Sequence, residues 1–260
     1  VPKYNGKASV VVHGNQPYFT SREKQNTKSF ESYHKLDKLG RCGVAYANIS
    51  IDTMPTEKRG EIGQIRPSGW HTVKYSGVVD GNYLYNRCHL IAYCLTAENA
   101  NKKNLITGTR YLNNEGMLPY ETKTAQYIDK TKNHVLYRVT PVFKGSDLVA
   151  SGVLMEAYSV EDQGKGISFC VYCYNVQPGV AIDYATGDSH LRGKNNQNSH
   201  KSSAKEHASA VYILNTNTKK FHKPDCYSVK QMSSKNRKKY KGLRKKLIKD
   251  GYSPCKNCNP

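Results

Sequence analysis

No stretch of this 260-residue chain approaches the roughly 18–20 consecutive apolar residues that cross a bilayer. With 37% hydrophobic residues and a mean hydropathy of −0.72, a helical membrane span is excluded and the chain reads as soluble. Acidic residues are scarce: 20 Asp and Glu stand against 40 Lys and Arg, a formal charge of +20. That excess is larger than solubility alone asks for. Tryptophan occurs once, at Trp70. An initiator methionine and a charged-then-apolar leader are both missing. The Tyr- and Asn-rich opening from Val1 reads as a mature surface segment, which predicts a secreted protein whose signal peptide has been removed.

What is abundant points to a polyanion. A field of +20 concentrates anionic polymers and speeds their capture. An anionic membrane or cell wall would answer to the same charge. The 20 tyrosines favour nucleic acid, because aromatic faces stack on bases. Nothing in the sequence implies a protein partner. There are 8 cysteines. Three, with a histidine, fall in the last forty residues; Cys42, Cys88, Cys94, Cys170 and Cys173 remain, an odd set that predicts a free thiol.

Short alternating stretches such as "ASVVVHG" (8–14) lie among polar turns in residues 1–50. "RGEIGQIRPSGWHTVKY" (59–75) is a connector in which Gly63, Pro67 and Gly69 argue against a helix. Residues 82–93 alternate as a strand, and 96–104 form a polar loop. Residues 114–131 place Met117, Leu118, Ala125 and Ile128 near helical spacing, with Pro119 in the first turn. Three β patterns follow at 134–143, 148–160 and 167–176. Together they predict an α+β domain over residues 1–187, an antiparallel sheet packed behind a helix. The Asn- and Ser-rich stretch 188–208 reads as a flexible linker. Residues 209–260 form a second small unit: a strand at 210–215, a knuckle, a basic helix and a final knuckle.

Three pieces stand together: "NRCH" (86–89), "NLITGTRYLNNEGM" (104–117) and the helix that follows. A histidine ending a strand and an asparagine opening a helix suit phosphodiester hydrolysis. The imidazole takes a proton from water, the amide oxygen holds hydrated Mg²⁺, and an arginine nearby offsets developing charge. Spacing alone is weak support, since a His–Asn pair at this separation arises by chance. The ordered words "RGEIGQIRPSGWHTVKY", "YNRCHLIAY", "NLITGTRYLNNEGMLPYE", "HVLYRVTPVF", "ASGVLMEAYSV" and "YNVQPGVAIDYATG" are far more specific. Residues 57–186, about half the chain, resemble the DNA/RNA non-specific endonucleases of the ββα-metal (His-Me finger) class. The likeness is to the secreted and DNA-entry nucleases of Gram-positive bacteria above all.

The resemblance implies His89 as general base, Asn113 as the ligand of Mg²⁺ (or Mn²⁺), and Asn104 as a buttress of the finger. It makes Arg87 and Arg110 candidates for phosphate or transition-state contact, and Glu121 a holder of metal-bound waters. Asn86 stands where the family motif carries an acid, and Cys88 where it carries glycine; activity is expected to survive both departures. Asn114 adjoins Asn113, so the ligand could shift by one position. Plainer readings stand beside these. Arg87 could be a structural salt-bridge partner, Glu121 a solvated first-turn residue, and His71 and His134 packing or surface histidines. A Cys42–Cys88 disulfide could fix the active loop. Cys170 and Cys173, three apart in a strand, face opposite sides and cannot pair.

In the tail, "FHKPDC" (221–226) and "PCKNC" (254–258) offer His222, Cys226, Cys255 and Cys258, a donor set that suits tetrahedral Zn²⁺. The knuckles resemble the Ada-type metal-binding fold, with His222 where that family often has cysteine. A Cys226–Cys255 disulfide or a metal-free cluster are the alternatives. Between the knuckles, Lys235, Arg237, Lys238, Lys239, Arg244 and Lys245 form a basic run expected to hold nucleic acid. The sequence thus predicts a secreted, Mg²⁺-dependent endonuclease that cuts DNA, and RNA too, with little sequence preference. The rivals are a catalytically weak DNA-binding or uptake protein and a nuclease toxin module.

Overall fold

The computed structural model describes residues 1–192, 210–230, 232–255, 257–258 and 260. The chain divides into two compact units, Val1–Arg192 and Gly193–Pro260.

The first unit is built on a six-stranded antiparallel sheet. Its strands are β1 (Ser9–Val11), β2 (Phe30–Tyr33), β3 (Ala45–Ile49), β6 (Val135–Val142), β7 (Gly152–Ser159) and β8 (Ser168–Tyr174), in the order β1-β8-β7-β6-β3-β2. Alternation along β6 explains its two faces. Val135, Tyr137 and Val139 join the main core with Met155, Val171, Met117 and Ile128. Leu136 turns to the other side, against Phe19 and Val160. Cys170 and Cys173 fall on opposite faces of β8, as the three-residue spacing requires.

Lodged against the main core is the finger. β4 (Tyr85–His89) pairs antiparallel with β5 (Leu105–Thr109), running from Tyr85 opposite Thr109 to His89 opposite Leu105. A short helix α1 (Tyr93–Thr96) lies in the loop between them. After β5 the chain makes a wide π-helical turn, Leu112–Met117, before α2 (Leu118–Thr131). The helix expected from residue 114 therefore starts at Leu118, with Pro119 in its first turn. Met117 and Ile128 are fully buried beneath it. Gly108 lets β4 approach: a Cβ there would sit 2.6 Å from that of Cys88.

The first residues of the expected linker belong to a strand. β10 (Ser189–Leu191) pairs with β9 (Val180–Ile182) inside the first unit, because Leu191 and Ser189 find backbone partners there; residues 193–208 lie outside the described residues. In the second unit, β11 (Ala210–Asn215) is central to the order β13-β11-β12-β14, with β12 at Lys220–His222 and β14 at Ser253–Pro254. The basic run is not one helix. Arg237–Gly242 is β13, an edge strand paired with β11, and only Arg244–Lys249 is helical, as α4; α3 (Tyr227–Lys230) follows the first knuckle. Two causes favour the strand. Tyr240 stacks on Tyr212 across the ladder at 6.5 Å, and Gly242 would weaken a helix interior.

Candidate active site

His89 ends β4 and is 6% exposed. Its Nε2 lies 2.8 Å from the carbonyl oxygen of Asn99. A carbonyl can only accept, so Nε2 carries the proton and Nδ1 the lone pair. Arg59 Nη2, a donor only, lies 3.2 Å from that Nδ1. Burial, and then the Arg59 charge, pull the imidazole pKa down to about 4. The ring is neutral at pH 7.

Asn104 holds the loop that delivers Asn99. It is fully buried, its Oδ1 accepting from the Ile91 N–H and its Nδ2 donating to the Ile91 carbonyl, both at 2.9 Å. Its own carbonyl accepts from the Leu90 N–H. These bonds end β4 at His89 and turn the chain, so the strand is shorter than the alternation over 82–93.

Across the finger, Asn113 sits in the π-helical turn. Its Oδ1 accepts from the Cys88 thiol at 3.2 Å, and its Nδ2 donates to Asn114 Oδ1 at 2.9 Å. Cys88 thus adjoins the imidazole in sequence and touches the amide in space. Cys42 instead donates to the carbonyls of Lys102 and Leu105. All eight cysteines are free thiols, so neither the Cys42–Cys88 disulfide considered for the active loop nor the Cys226–Cys255 alternative to a metal site is formed. The sulfurs of Cys42 and Cys88 serve different loops.

Glu121 is not the solvated first-turn residue of the plainer reading. It is 8% exposed, and burial raises its carboxyl to about 8 against the lowering pull of Arg59. Tyr137 feels the Glu121 charge, and Thr124 is one turn further along the helix. Both residues are fully buried, and their hydroxyls have no hydrogen-bond partner among the described residues. The Asn113 amide and the Glu121 carboxyl offer oxygen donors, the ligand chemistry that Mg²⁺ or Mn²⁺ prefers.

The arginines divide differently from expectation. Arg87 donates to the carbonyls of Ile65 and Gly63 and lies 4.2 Å over the Trp70 ring. It clamps the connector, and among the described residues no carboxylate pairs with it. Arg110 lies against the turn at Gly81, and its Nε is buried without a partner among the described residues. Neither hydrogen-bonds to His89, Asn113 or Glu121. Arg59, which does reach His89, was overlooked because it opens a polar connector with no periodic pattern. Asn99 was hidden in a loop in the same way. His71 bonds to the Thr186 carbonyl, and His134 pairs with Glu161.

In the second unit, the ligand atoms of His222, Cys226, Cys255 and Cys258 lie within 4.8 Å of one another. Cys226 Sγ is 3.6 Å from His222 Nδ1. The N–H groups of Lys223 and Asn257 donate to the sulfurs of Cys258 and Cys255, both at 3.4 Å. A hydrogen bond from Cys258 lowers the Cys255 thiol to about 4 and raises Cys258 in turn. Three sulfurs and an imidazole fit Zn²⁺. Of the basic run, Lys235, Lys238 and Lys239 are exposed. Arg237 donates to the carbonyls of Val229 and Met232, and Arg244 to that of Pro260. The side chain of Lys245 lies outside the described residues.

A strand pair followed by a helix, with a neutral buried imidazole at the end of its first strand, is the arrangement of a ββα-finger nuclease. A family profile described as "DNA/RNA non-specific endonuclease" matches residues 20–161. NucA from Streptococcus agalactiae with magnesium bound is similar at 25% identity and a TM-score of 0.62, covering 70% of this chain and 86% of that one. The metal-free form of the same NucA shares 26%, covering 73% and 89%, with a TM-score of 0.62. Sda1 nuclease with a bound zinc ion shares 25%, covering 72% and 97%, with a TM-score of 0.59. The chain belongs to the DNA/RNA non-specific endonuclease family and is a hydrolytic nuclease.

Proposed function

We propose that the first unit is a Mg²⁺-dependent endonuclease that hydrolyses DNA, and RNA as well, with His89 as its general base. The observation that carries this reading is the fixed tautomer: the Asn99 carbonyl accepts a hydrogen bond from Nε2–H, which leaves the Nδ1 lone pair for catalysis. Nδ1 removes a proton from the attacking water. The water oxygen bonds to phosphorus as the bond to the 3′ oxygen breaks; that oxygen takes a proton from solvent and His89 returns its own to solvent, leaving a 5′-phosphate and a 3′-hydroxyl. Arg59, an exposed side chain, exchanges its contact with Nδ1 for a phosphate oxygen, where its charge opposes the negative charge gathering there. Asn113 would hold the metal, and Glu121 would hold metal-bound water. When bound, Mg²⁺ supplies positive charge at the scissile phosphate and the leaving oxygen. Asn104 is a positioning residue, acting through the loop. The magnesium bound to the similar NucA supports this choice of ion.

In the second unit the His222–Cys258 cluster holds Zn²⁺, and Lys235, Lys238 and Lys239 with the helix α4 bind polyanion without sequence preference. An extracellular setting accords with the fold shared with an extracellular endonuclease. The test is plasmid and RNA digestion with Mg²⁺, with and without chelator, and with end-labelling of the products. Cleavage should need the metal and leave 5′-phosphates. A plasmid that survives hours with Mg²⁺ would make the protein a binder instead.

A further inference from the structure

The connector that brings Arg59 to His89 continues into a second feature. Gln64, Ile65, Arg66 and Pro67, with Leu36 and Lys102, line a cavity of about 270 Å³. Its walls are built rigidly. Arg87 holds one from below, donating to the carbonyls of Gly63 and Ile65 and stacking on Trp70. The Cys42 thiol holds the other through the Lys102 carbonyl, and Asn104 closes the same loop. Each wall also holds the imidazole, the connector through Arg59 and the loop through Asn99. Two of the three segments that line the cavity therefore also hold the His89 imidazole, and Leu36 comes from the third.

Its charge is unbalanced. Arg66 and Lys102 are both exposed. Among the described residues, no carboxylate lies within ion-pair reach of either. Arg87 adds a third cation: burial, then the Arg66 charge, lower its guanidinium pKa. Like charges gathered in a concave site without a counter-ion favour an anion. Ile65, Pro67 and Leu36 give the same cavity apolar wall, suited to a sugar or base edge.

We propose that this cavity is a subsite for an internucleotide phosphate that flanks the scissile one, with Arg66 and Lys102 contacting its oxygens. The proposal rests on the nuclease reading of the His89 site. It gives the enzyme a grip on the polymer separate from its grip on the bond being cut.

The test is the full-length Arg66→Ala/Lys102→Ala variant on two substrates: DNA, and a mononucleotide p-nitrophenyl diester that carries a single phosphate. KM for DNA should rise by roughly tenfold with kcat unchanged, while the small diester is hydrolysed at the wild-type rate. Binding of a fluorescent oligonucleotide in chelator should show a log–log salt slope shallower by about two. That reading needs no turnover, so it decides the subsite even if the catalytic assignment fails. Lys130→Ala, at the exposed end of α2, should leave both assays unchanged. Arg66→Glu should be worse than Arg66→Ala. An unchanged salt slope, or an equal loss on the small diester, would overturn the subsite.

Discussion

At the scale of single residues, the proposed catalysis depends on which nitrogen of His89 is free and on how Asn113 is aimed. The Asn113 amide is held at both ends, by the Cys88 thiol and by Asn114 Oδ1. Cys88→Ser keeps a donor at that place and should leave the metal requirement near that of the wild type. Cys88→Ala should raise the Mg²⁺ needed for half-maximal activity by roughly tenfold, as losing a ligand's supporting bond does. A metal titration of the two variants reads this directly, and identical curves would show that the thiol aims nothing. Glu121 carries a pH signature. Its folded pKa, about 8, lies above the ordinary carboxylate value, so its stabilising contribution is complete in acid and is lost as pH rises through 8. His89 acts in the opposite sense and at lower pH, its contribution being lost as pH falls toward 4. Between about pH 7 and 8.5 the metal-free protein should therefore lose ~1–2 kcal/mol through Glu121. Glu121→Gln should flatten that slope in thermal melts, and a parallel slope would remove the buried carboxyl as its cause.

At the scale of elements, the loop between β4 and β5 holds the His89 imidazole, the proposed base, in place. Asn104→Ala would leave the Ile91 N–H and carbonyl buried without partners, at a cost of ~2–4 kcal/mol. It should also lower kcat more than it raises KM. Denaturant unfolding and steady-state kinetics together check this; a stable variant with normal kcat would deny the loop its role. This scale also shows how far the sequence could be read. The strands at 135–142, 152–159 and 168–174 were legible because their apolar residues alternate over buried faces. The finger was legible through its order of motifs, from "YNRCH" to the asparagines. β13 was not: Arg-Lys-Lys-Tyr-Lys-Gly is rich in good helix formers and offers one aromatic to reveal a period of two. Arg59 was not legible either, since it acts across 30 positions from a loop. Position in the chain says nothing of that contact; only the fold of the connector makes it.

At the scale of the whole molecule, a charge of +20 acts on a polymer substrate through two units. The Cys/His cluster ties the segment after β12 to the C-terminal knuckle, so with zinc as the proposed ion Cys258→Ser should abolish zinc retention and unfold that unit while leaving the melting of the first unchanged. Mass spectrometry under native conditions and calorimetry would check both halves; loss of both transitions together would contradict two separate foldings. Competition between DNA and anionic vesicles at graded salt should favour DNA, and preferential vesicle binding would reassign the basic strand to a membrane surface. The central claim is chemical, and the most direct measurement is the single-turnover cleavage rate of His89→Ala against wild type, at saturating DNA and Mg²⁺. The account expects a fall of roughly 10²–10⁴-fold with DNA affinity retained. A variant that cleaves at the wild-type rate would contradict it.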